Sequence, residues 1–166
     1  MPEQLVINSL EFSRGAGVLR GKIKNGELQR LNDYLYSTDG EIEYELSGTV
    51  DPDGKSLLHL AITGKLYLKC QRCLEGLEHD LDLVSSLLLI DNEKAFPEIT
   101  EENDGIDCIP AETEMDVFAL LEEEIILRLP ISPRHESGAC SVISYAGGGT
   151  AQSVFAPLAA LKRSTG

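Results

Sequence analysis

The stretch that decides the fold reads LHLAITGKLYLKCQRCLEGLEHDLDL and occupies residues 58–83. Apolar and polar residues alternate over residues 58–68 and again over residues 77–83, with the two-residue period of a half-buried β-strand. The two runs are joined through Cys70–Gly76, which contains two cysteines separated by two residues. We therefore expect a β-hairpin with a CxxC motif at its tip, the geometry of a zinc-ribbon knuckle.

The flanking residues extend this pattern on both sides. Residues 42–50 also alternate, and Asp51-Pro52-Asp53-Gly54 is a turn in which proline presets φ and glycine takes the left-handed position. Residues 113–129 carry an apolar stripe at helical spacing, and Pro130 stops the helix. The sequence thus predicts an α+β fold. Its central antiparallel sheet could be barrel-like, and one long acidic helix packs against it.

The chain is long enough for one domain with looser ends. We expect a basic N-terminal arm over residues 1–36, with a helix over about residues 27–36, followed by a core domain over residues 37–140. Within that core, residues 91–112 are acidic and lack periodicity, so we expect a mobile acidic loop there. Residues 141–166 read as a flexible, glycine-rich linker followed by a short C-terminal amphipathic segment.

The negative charge is concentrated in one block of the chain. The net charge is −14, and residues 75–124 hold 17 acidic side chains against one basic side chain. A surface of one sign steers association with a partner of the opposite sign, whereas phosphate binding needs Lys and Arg to displace counterions. Glu122, Glu123 and Glu124 are therefore candidates for docking a basic protein. The alternative is a solvated helix face without a partner.

The soft metal ligands form a split set. Cys70 and Cys73 come first, and His135 and Cys140 follow about sixty residues later, past the predicted helix. Three thiols and one imidazole can close a tetrahedron around a structural Zn²⁺. Cys108 could replace the histidine, but no second ligand at knuckle spacing accompanies it. Metal-free packing of the thiols and thiol redox chemistry remain alternatives, although a redox CxxC usually needs a helix N-terminus beside it.

No sequence motif indicates an enzyme. The chain contains no nucleophile elbow, phosphate loop, dinucleotide-binding fingerprint or HExxH motif. No stretch approaches the roughly 18 apolar residues of a membrane helix, and the N-terminus does not resemble a signal peptide. We therefore expect a non-enzymatic, cytoplasmic protein with reduced thiols and no membrane partner.

Three segments together resemble the YceD family, the large ribosomal RNA subunit accumulation proteins of bacteria, with relatives in chloroplasts. They read CQRCLE at residues 70–75, LLEEEIILRLP at residues 120–130 and PRHESGAC at residues 133–140. The sequence FAPLAALK at residues 155–162 is similar to the family's terminal F-A-x-L-x-x-L-K motif. The resemblance covers roughly residues 40–163 and keeps the family's order of motifs.

The resemblance implies a non-enzymatic factor that supports accumulation of 23S ribosomal RNA, and hence a role in large-subunit biogenesis. It implies a large-subunit precursor as partner, bound through a ribosomal protein or through 23S rRNA, and leaves the oligomeric state unknown. By position, Cys70, Cys73, His135 and Cys140 fall on the family's cysteine and histidine motif.

Two ways of binding such a partner follow from the charges. Arg72, Arg128 and Arg134 lie near the metal motif in sequence and are candidates for RNA binding. The acidic block instead favours a basic ribosomal protein. Two other function classes stay open: a zinc-stabilised protein-interaction module unrelated to ribosomes, and a thiol redox protein.

Overall fold

The fold was analysed in a computed structural model that describes residues 4–91, 105–136 and 138–140. In chain order the elements are β1 (Val6–Ile7), α1 (Ser9–Arg14), β2 (Val18–Lys24), β3 (Leu35–Ser37), β4 (Glu41–Val50), β5 (Ser56–Lys69), β6 (Gly76–Ile90), β7 (Ile106–Pro110), β8 (Met115–Asp116) and α2 (Val117–Arg128). Two 3₁₀ turns, Asn25–Glu27 and Leu31–Tyr34, connect β2 to β3. In these ranges, no helix is long and apolar enough to cross a membrane.

The central sheet has six strands, in the order β2-β4-β5-β6-β7, with β3 paired to β5 off this path. All of its pairings are antiparallel except β6 with β7, which run parallel. The predicted α+β class with a central, mostly antiparallel sheet is confirmed. The barrel-like alternative is wrong: a barrel needs its two terminal strands to pair, and β2 and β7 do not pair with each other within the described residues.

The β5–β6 hairpin is the longest part of the sheet. Its ladder runs from Leu57↔Leu88 to Lys69↔Gly76, and the even-numbered leucines and isoleucine of β5 face the core. Removal of these side chains from water supplies the main stabilisation of the fold. The largest fully buried side chains are Leu28, Leu31, Ile42, Leu46, Leu58, Leu60, Ile62, Leu66, Leu68, Leu87, Leu121 and Ile125.

Helix α2 covers this core and begins later than the sequence pattern predicts. Met115 and Asp116 form β8, which pairs with β1. The Asp116 carboxylate then accepts hydrogen bonds from the backbone N–H groups of Phe118 and Ala119, at 2.9 and 3.2 Å. This is the N-cap arrangement that satisfies the free amides of a helix start. The helix is therefore 12 residues long.

Much of the N-terminal region belongs to the sheet. Residues 18–24 form β2 and pair with β4 along their full length. The helix expected over about residues 27–36 is wrong: Leu31–Tyr34 is a 3₁₀ turn, and Leu35 starts β3, which pairs with β5. Strand pairing and burial of Leu31 here outweigh the local helical spacing.

The prediction of a mobile acidic loop over residues 91–112 is wrong for residues 106–110. Ile106–Pro110 forms β7, and Ile109 packs against the main core. Parallel pairing with β6 supplies backbone partners that the local sequence does not indicate. The rest of that prediction, over residues 92–104, and the predicted C-terminal linker and amphipathic segment, over residues 141–166, lie outside the described residues.

Candidate metal centre

The connection between β5 and β6 is a tight turn that carries Cys70 and Cys73. The Cys70 N–H donates to the Glu75 carbonyl, and the Leu74 N–H donates to the Cys70 carbonyl, both at 2.9 Å. Leu74 has a φ of +64°, in the left-handed region that side chains other than glycine rarely adopt. The turn brings both cysteine side chains into the same buried cluster.

The segment after α2 returns to this turn. The Gln71 N–H donates to the Pro133 carbonyl at 2.8 Å, which ties the hairpin end to the chain beyond the helix. A second short turn follows, in which the Ala139 N–H donates to the Glu136 carbonyl at 3.0 Å. As a result, His135 and Cys140 approach the two cysteines of the hairpin.

The structure brings all four predicted metal ligands together. One ligand atom from each of Cys70, Cys73, His135 and Cys140 lies within 4.8 Å of the others. The Sγ atoms of Cys70 and Cys140 are 3.7 Å apart. The His135 Nδ1 atom lies 3.4 Å from the Cys73 Sγ and 3.7 Å from the Cys140 Sγ. The three cysteines are buried, and the histidine is half-buried.

Three of the six separations between ligand atoms are known individually, and they fit the edges of a zinc tetrahedron. Zn–S bonds of about 2.3 Å and Zn–N bonds of about 2.0–2.1 Å, at tetrahedral angles, separate two sulfurs by about 3.8 Å and a sulfur from a nitrogen by about 3.5 Å. The three separations given above agree with those values to within a few tenths of an ångström. A disulfide would instead need sulfurs about 2.05 Å apart, and all four cysteines of the chain are free thiols.

The ring of His135 is held in the orientation that a ligand needs. Its Nε2 atom lies 2.9 Å from the Gly76 carbonyl oxygen. A carbonyl only accepts, so Nε2 carries the proton in this contact and Nδ1 presents a lone pair toward the sulfurs. Fixing the second ring nitrogen in this way is the usual outer-shell support of a metal-bound histidine.

The electrostatics favour thiolate at one position of the cluster. Burial raises the pKa of the Cys70 thiol, but hydrogen bonds from the backbone of Cys73, His135 and Arg72 outweigh burial and lower that pKa to about 5. Burial, together with the neighbouring Cys70 and Cys73, raises the pKa of Cys140. The hydrogen bond to Gly76 and the contact with Cys70 raise the pKa of His135. The lowered pKa favours a thiolate at Cys70, the form of a cysteine that binds a metal cation.

Cys108 lies elsewhere. It is a half-buried residue of β7 that packs against Leu57, Leu88 and Ile90. The four-thiolate alternative, in which this residue replaces His135, is therefore not the arrangement that the fold produces.

The three arginines near the motif in sequence do not form one patch. Gln71 and Pro133 are hydrogen-bonded, so Arg72 and Arg134, each the next residue, lie on the exposed rim of the cluster. The Arg128 Nη2 atom instead donates to the Val84 carbonyl at 3.4 Å. That carbonyl lies eight residues along β6 from its first residue, roughly 26 Å from the cluster end of the strand.

The three glutamates of α2 also differ from one another. Glu122 is buried and accepts a hydrogen bond from the Arg30 N–H at 3.0 Å. Glu124 is buried and accepts from the Ser85 hydroxyl at 2.5 Å. Only Glu123 is exposed. This burial excludes docking through all three carboxylates. It also excludes the alternative that the three glutamates form a solvated helix face.

Comparison with known proteins identifies a family. Residues 58–162 match the YceD family, described as "Large ribosomal RNA subunit accumulation protein YceD". A curated protein of Haemophilus influenzae with that same name is 29% identical over 119 residues, which cover 70% of this chain and 66% of the relative. The chain thus spans just under two thirds of that relative's length. No solved structure shows a significant match.

The family match covers well over half of the chain and includes the whole Cys₃His cluster. The protein therefore belongs to the YceD family.

Proposed function

We propose that this protein is a non-enzymatic factor in formation of the large ribosomal subunit, where it supports accumulation of 23S rRNA in the cytoplasm. The family match over residues 58–162 carries this proposal. The family is named for RNA accumulation rather than for a reaction, which supports a binding role. The related protein of Haemophilus influenzae carries the same name.

We further propose that Cys70, Cys73, His135 and Cys140 bind a structural Zn²⁺. A catalytic zinc keeps a coordination position open for water or substrate, whereas four protein ligands close the shell. Such an ion would join the β5–β6 turn to the segment after α2 and hold these two segments in contact. The ion's role in this proposal is thus to stabilise the fold at this end of the sheet rather than to catalyse a reaction.

The immediate partner, in this proposal, is a basic ribosomal protein rather than RNA. The chain has a net charge of −14, which repels phosphate at long range and attracts a basic protein. The RNA alternative depends on Arg72 and Arg134 at the rim of the cluster. It predicts RNA binding that weakens steeply with salt and that is lost in the Arg72→Ala/Arg134→Ala variant.

The proposed function is tested by deleting the gene in its own host and measuring the ratio of 23S to 16S rRNA. We expect the ratio to fall and the wild-type protein to co-sediment with large-subunit precursors. Complementation should succeed with wild type and with Cys108→Ser, and fail with Cys73→Ser. An unchanged rRNA ratio in the deletion strain would contradict the proposal.

Sedimentation profiles from the same strain and an insulin-reduction assay of the purified protein distinguish the other function classes. An interaction module unrelated to ribosomes predicts normal sedimentation profiles and no protein in the precursor fractions. A thiol redox protein predicts reduction of insulin disulfides by the purified chain, lost in Cys70→Ser. A structural site predicts no such activity from zinc-loaded protein.

A further inference from the structure

A groove of about 570 Å³ lies between strand β7 and helix α2, away from the metal centre. Its floor is apolar: Met115 and Leu120 are buried there, and Ile109 joins them from β7. Leu127 forms part of the wall with 71% of its surface exposed. An apolar cleft with an exposed leucine at its rim is the kind of surface that a partner segment covers.

Among the residues that the structure describes, the charged residues of this groove are all acidic. They contribute six carboxylates to its lining and no basic side chain. Two of the six are engaged within the fold, since Asp116 caps α2 and Glu124 bonds to Ser85. The four exposed carboxylates form no salt bridge within the described residues; they belong to Asp107, Glu112, Glu114 and Glu123.

Of the strands that the structure describes, none pairs with the outer edge of β7, the strand that borders the groove. β7 is the last strand of the sheet, and within the described residues it pairs only with β6. The Ala111 N–H donates to the Ile90 carbonyl at 2.9 Å. Because a parallel ladder uses alternate residues, Asp107 and Ile109 also turn their backbone groups toward β6.

The remaining backbone groups of β7 point away from the sheet. The N–H and carbonyl groups of Ile106 and Cys108 face the open edge, together with the carbonyl of Pro110. Proline has no N–H to leave unpaired, which suits it to this position on an edge strand. The open edge thus offers two donors and three acceptors beside an acidic, apolar-floored groove.

We propose that this groove binds an extended Lys- and Arg-rich segment of a partner protein, which adds a strand to the free edge of β7. This mode of recognition takes affinity from backbone hydrogen bonds and specificity from alternate side chains. The identity of the partner as a ribosomal protein rests on the proposed function, whereas the groove and its basic ligand do not.

The side chains of such a segment match both the apolar floor and the exposed carboxylates of the groove. Alternate residues of an added strand point toward the same face. On the α2 side, long basic side chains can lay their aliphatic stems on Leu120 and Leu127 while their charged ends reach Glu123 and Asp107. RNA is a poor ligand for this site, because its phosphates would face four free carboxylates.

The probe for this proposal is an eight-residue, fluorescein-labelled peptide of alternating lysine and valine, titrated into the zinc-loaded full chain by fluorescence anisotropy. We expect saturable binding that weakens as salt rises. The Asp107→Asn/Glu123→Gln variant should bind at least fivefold more weakly. The matched control is Asp53→Asn/Asp82→Asn, which removes the same charge from exposed positions outside the groove.

Strand addition has a separate readout in amide hydrogen exchange. The peptide should slow exchange at the N–H groups of Ile106 and Cys108 and leave Asp107 and Ile109, already directed to β6, nearly unchanged. If the control variant weakens peptide binding by the same factor, the binding depends on the overall charge of the protein and not on the groove, and the proposal is wrong. Unchanged exchange at Cys108 would overturn the strand-addition geometry.

Other occupants give different results. If the Ile106 and Cys108 amides are already protected in the peptide-free monomer, another part of this chain covers the edge. If they become protected only as the chain dimerises, a second copy is the occupant. Either result, or displacement of the peptide by an RNA eight-mer, rejects the proposal. A normal rRNA ratio in the deletion strain, with peptide binding intact, would reject the ribosomal role and leave the groove assignment standing.

Discussion

The Nε2 atom of His135 lies 2.9 Å from the carbonyl oxygen of Gly76, the first residue of β6. This contact leaves Nδ1 facing the Sγ atoms of Cys73 and Cys140, at 3.4 and 3.7 Å. The histidine therefore joins the hairpin to the segment beyond α2 with both of its ring nitrogens. The Gly76 carbonyl thus helps to set the orientation of the ring.

We predict that the purified protein contains one zinc ion per chain, measured by inductively coupled plasma mass spectrometry. Cys73→Ser and His135→Ala should lose zinc and melt at a lower temperature than wild type, because the apparent binding energy of structural zinc, roughly 10–16 kcal/mol, adds to the stability of the folded chain. Cys108→Ser is the matched control and should retain full zinc, since that thiol packs in a separate apolar cluster.

A result in which Cys73→Ser keeps both fold and thermal midpoint would contradict a structural site. Equal loss of zinc in the Cys108→Ser variant would show instead that the metal is bound through a different set of thiols.

The stability of the metal-free protein should depend on pH through Cys70. Its pKa is lowered from 9.0 to about 5 in the folded chain. A lowered pKa stabilises the fold fully above the ordinary value, and this contribution is lost as the pH falls from 9 through 5. His135 acts with the opposite sign. Its raised pKa stabilises the fold below about 6.5, and this contribution is lost as the pH rises through the folded pKa.

Urea unfolding of the chelator-treated wild type and Cys70→Ala at pH 5, 7 and 9 separates these effects. The difference in free energy of unfolding between the two should grow with pH across this range. A difference that stays constant from pH 5 to pH 9 would rule out a stabilising thiolate at this position.

Local sequence patterns determine part of this fold. The alternation in residues 58–68 and 77–83 corresponds to β5 and β6, because a two-residue period leaves one face of a strand buried. The spacing of Cys70, Cys73, His135 and Cys140 also identified a group that the fold does bring together. In both examples the types and spacing of the side chains are sufficient to predict the feature.

Other parts depend on partners that the local sequence cannot reveal. β7 has only two isoleucines among acidic and small residues, and its pairing partner β6 precedes it in the chain. Glu122 and Glu124 are buried because the Arg30 N–H and the Ser85 hydroxyl meet them. In the local sequence, the only indication of this burial is that both glutamates lie beside the apolar stripe of α2.

Leu74 is predicted to carry backbone strain that glycine would relieve. Its φ is +64°, and its side chain is 62% exposed, so little packing compensates. The left-handed conformation costs an ordinary residue roughly 1–2 kcal/mol, whereas glycine adds roughly 0.5–1 kcal/mol of unfolded-state entropy. We therefore expect Leu74→Gly to raise the free energy of unfolding by about 0.5–1 kcal/mol in the zinc-loaded protein.

Leu74→Ala is the matched control for this prediction, because alanine keeps the Cβ atom that causes the strain. It should differ from wild type by less than about 0.5 kcal/mol. If urea unfolding ranks the glycine variant below the alanine variant, the left-handed turn is not a source of strain.

The hydrogen bond between Ser85 and Glu124 should be a significant contributor to stability. Both residues are buried, with relative exposures of 4% and 5%, and the hydroxyl lies 2.5 Å from Oε2. Ser85→Ala leaves a buried carboxylate without this donor, which costs roughly 1–3 kcal/mol and more for a charged group. Glu123→Gln, one residue away but exposed, should change the free energy of unfolding by less than about 0.5 kcal/mol.

A double-mutant cycle isolates the pair. Ser85→Ala/Glu124→Leu replaces both partners with apolar groups, so it should be more stable than Ser85→Ala alone, because no buried carboxylate is left unpaired. Additive effects of the two single substitutions would show that the two side chains are not coupled. In that event the burial of Glu124 between α2 and β6 would need another partner to offset its desolvation.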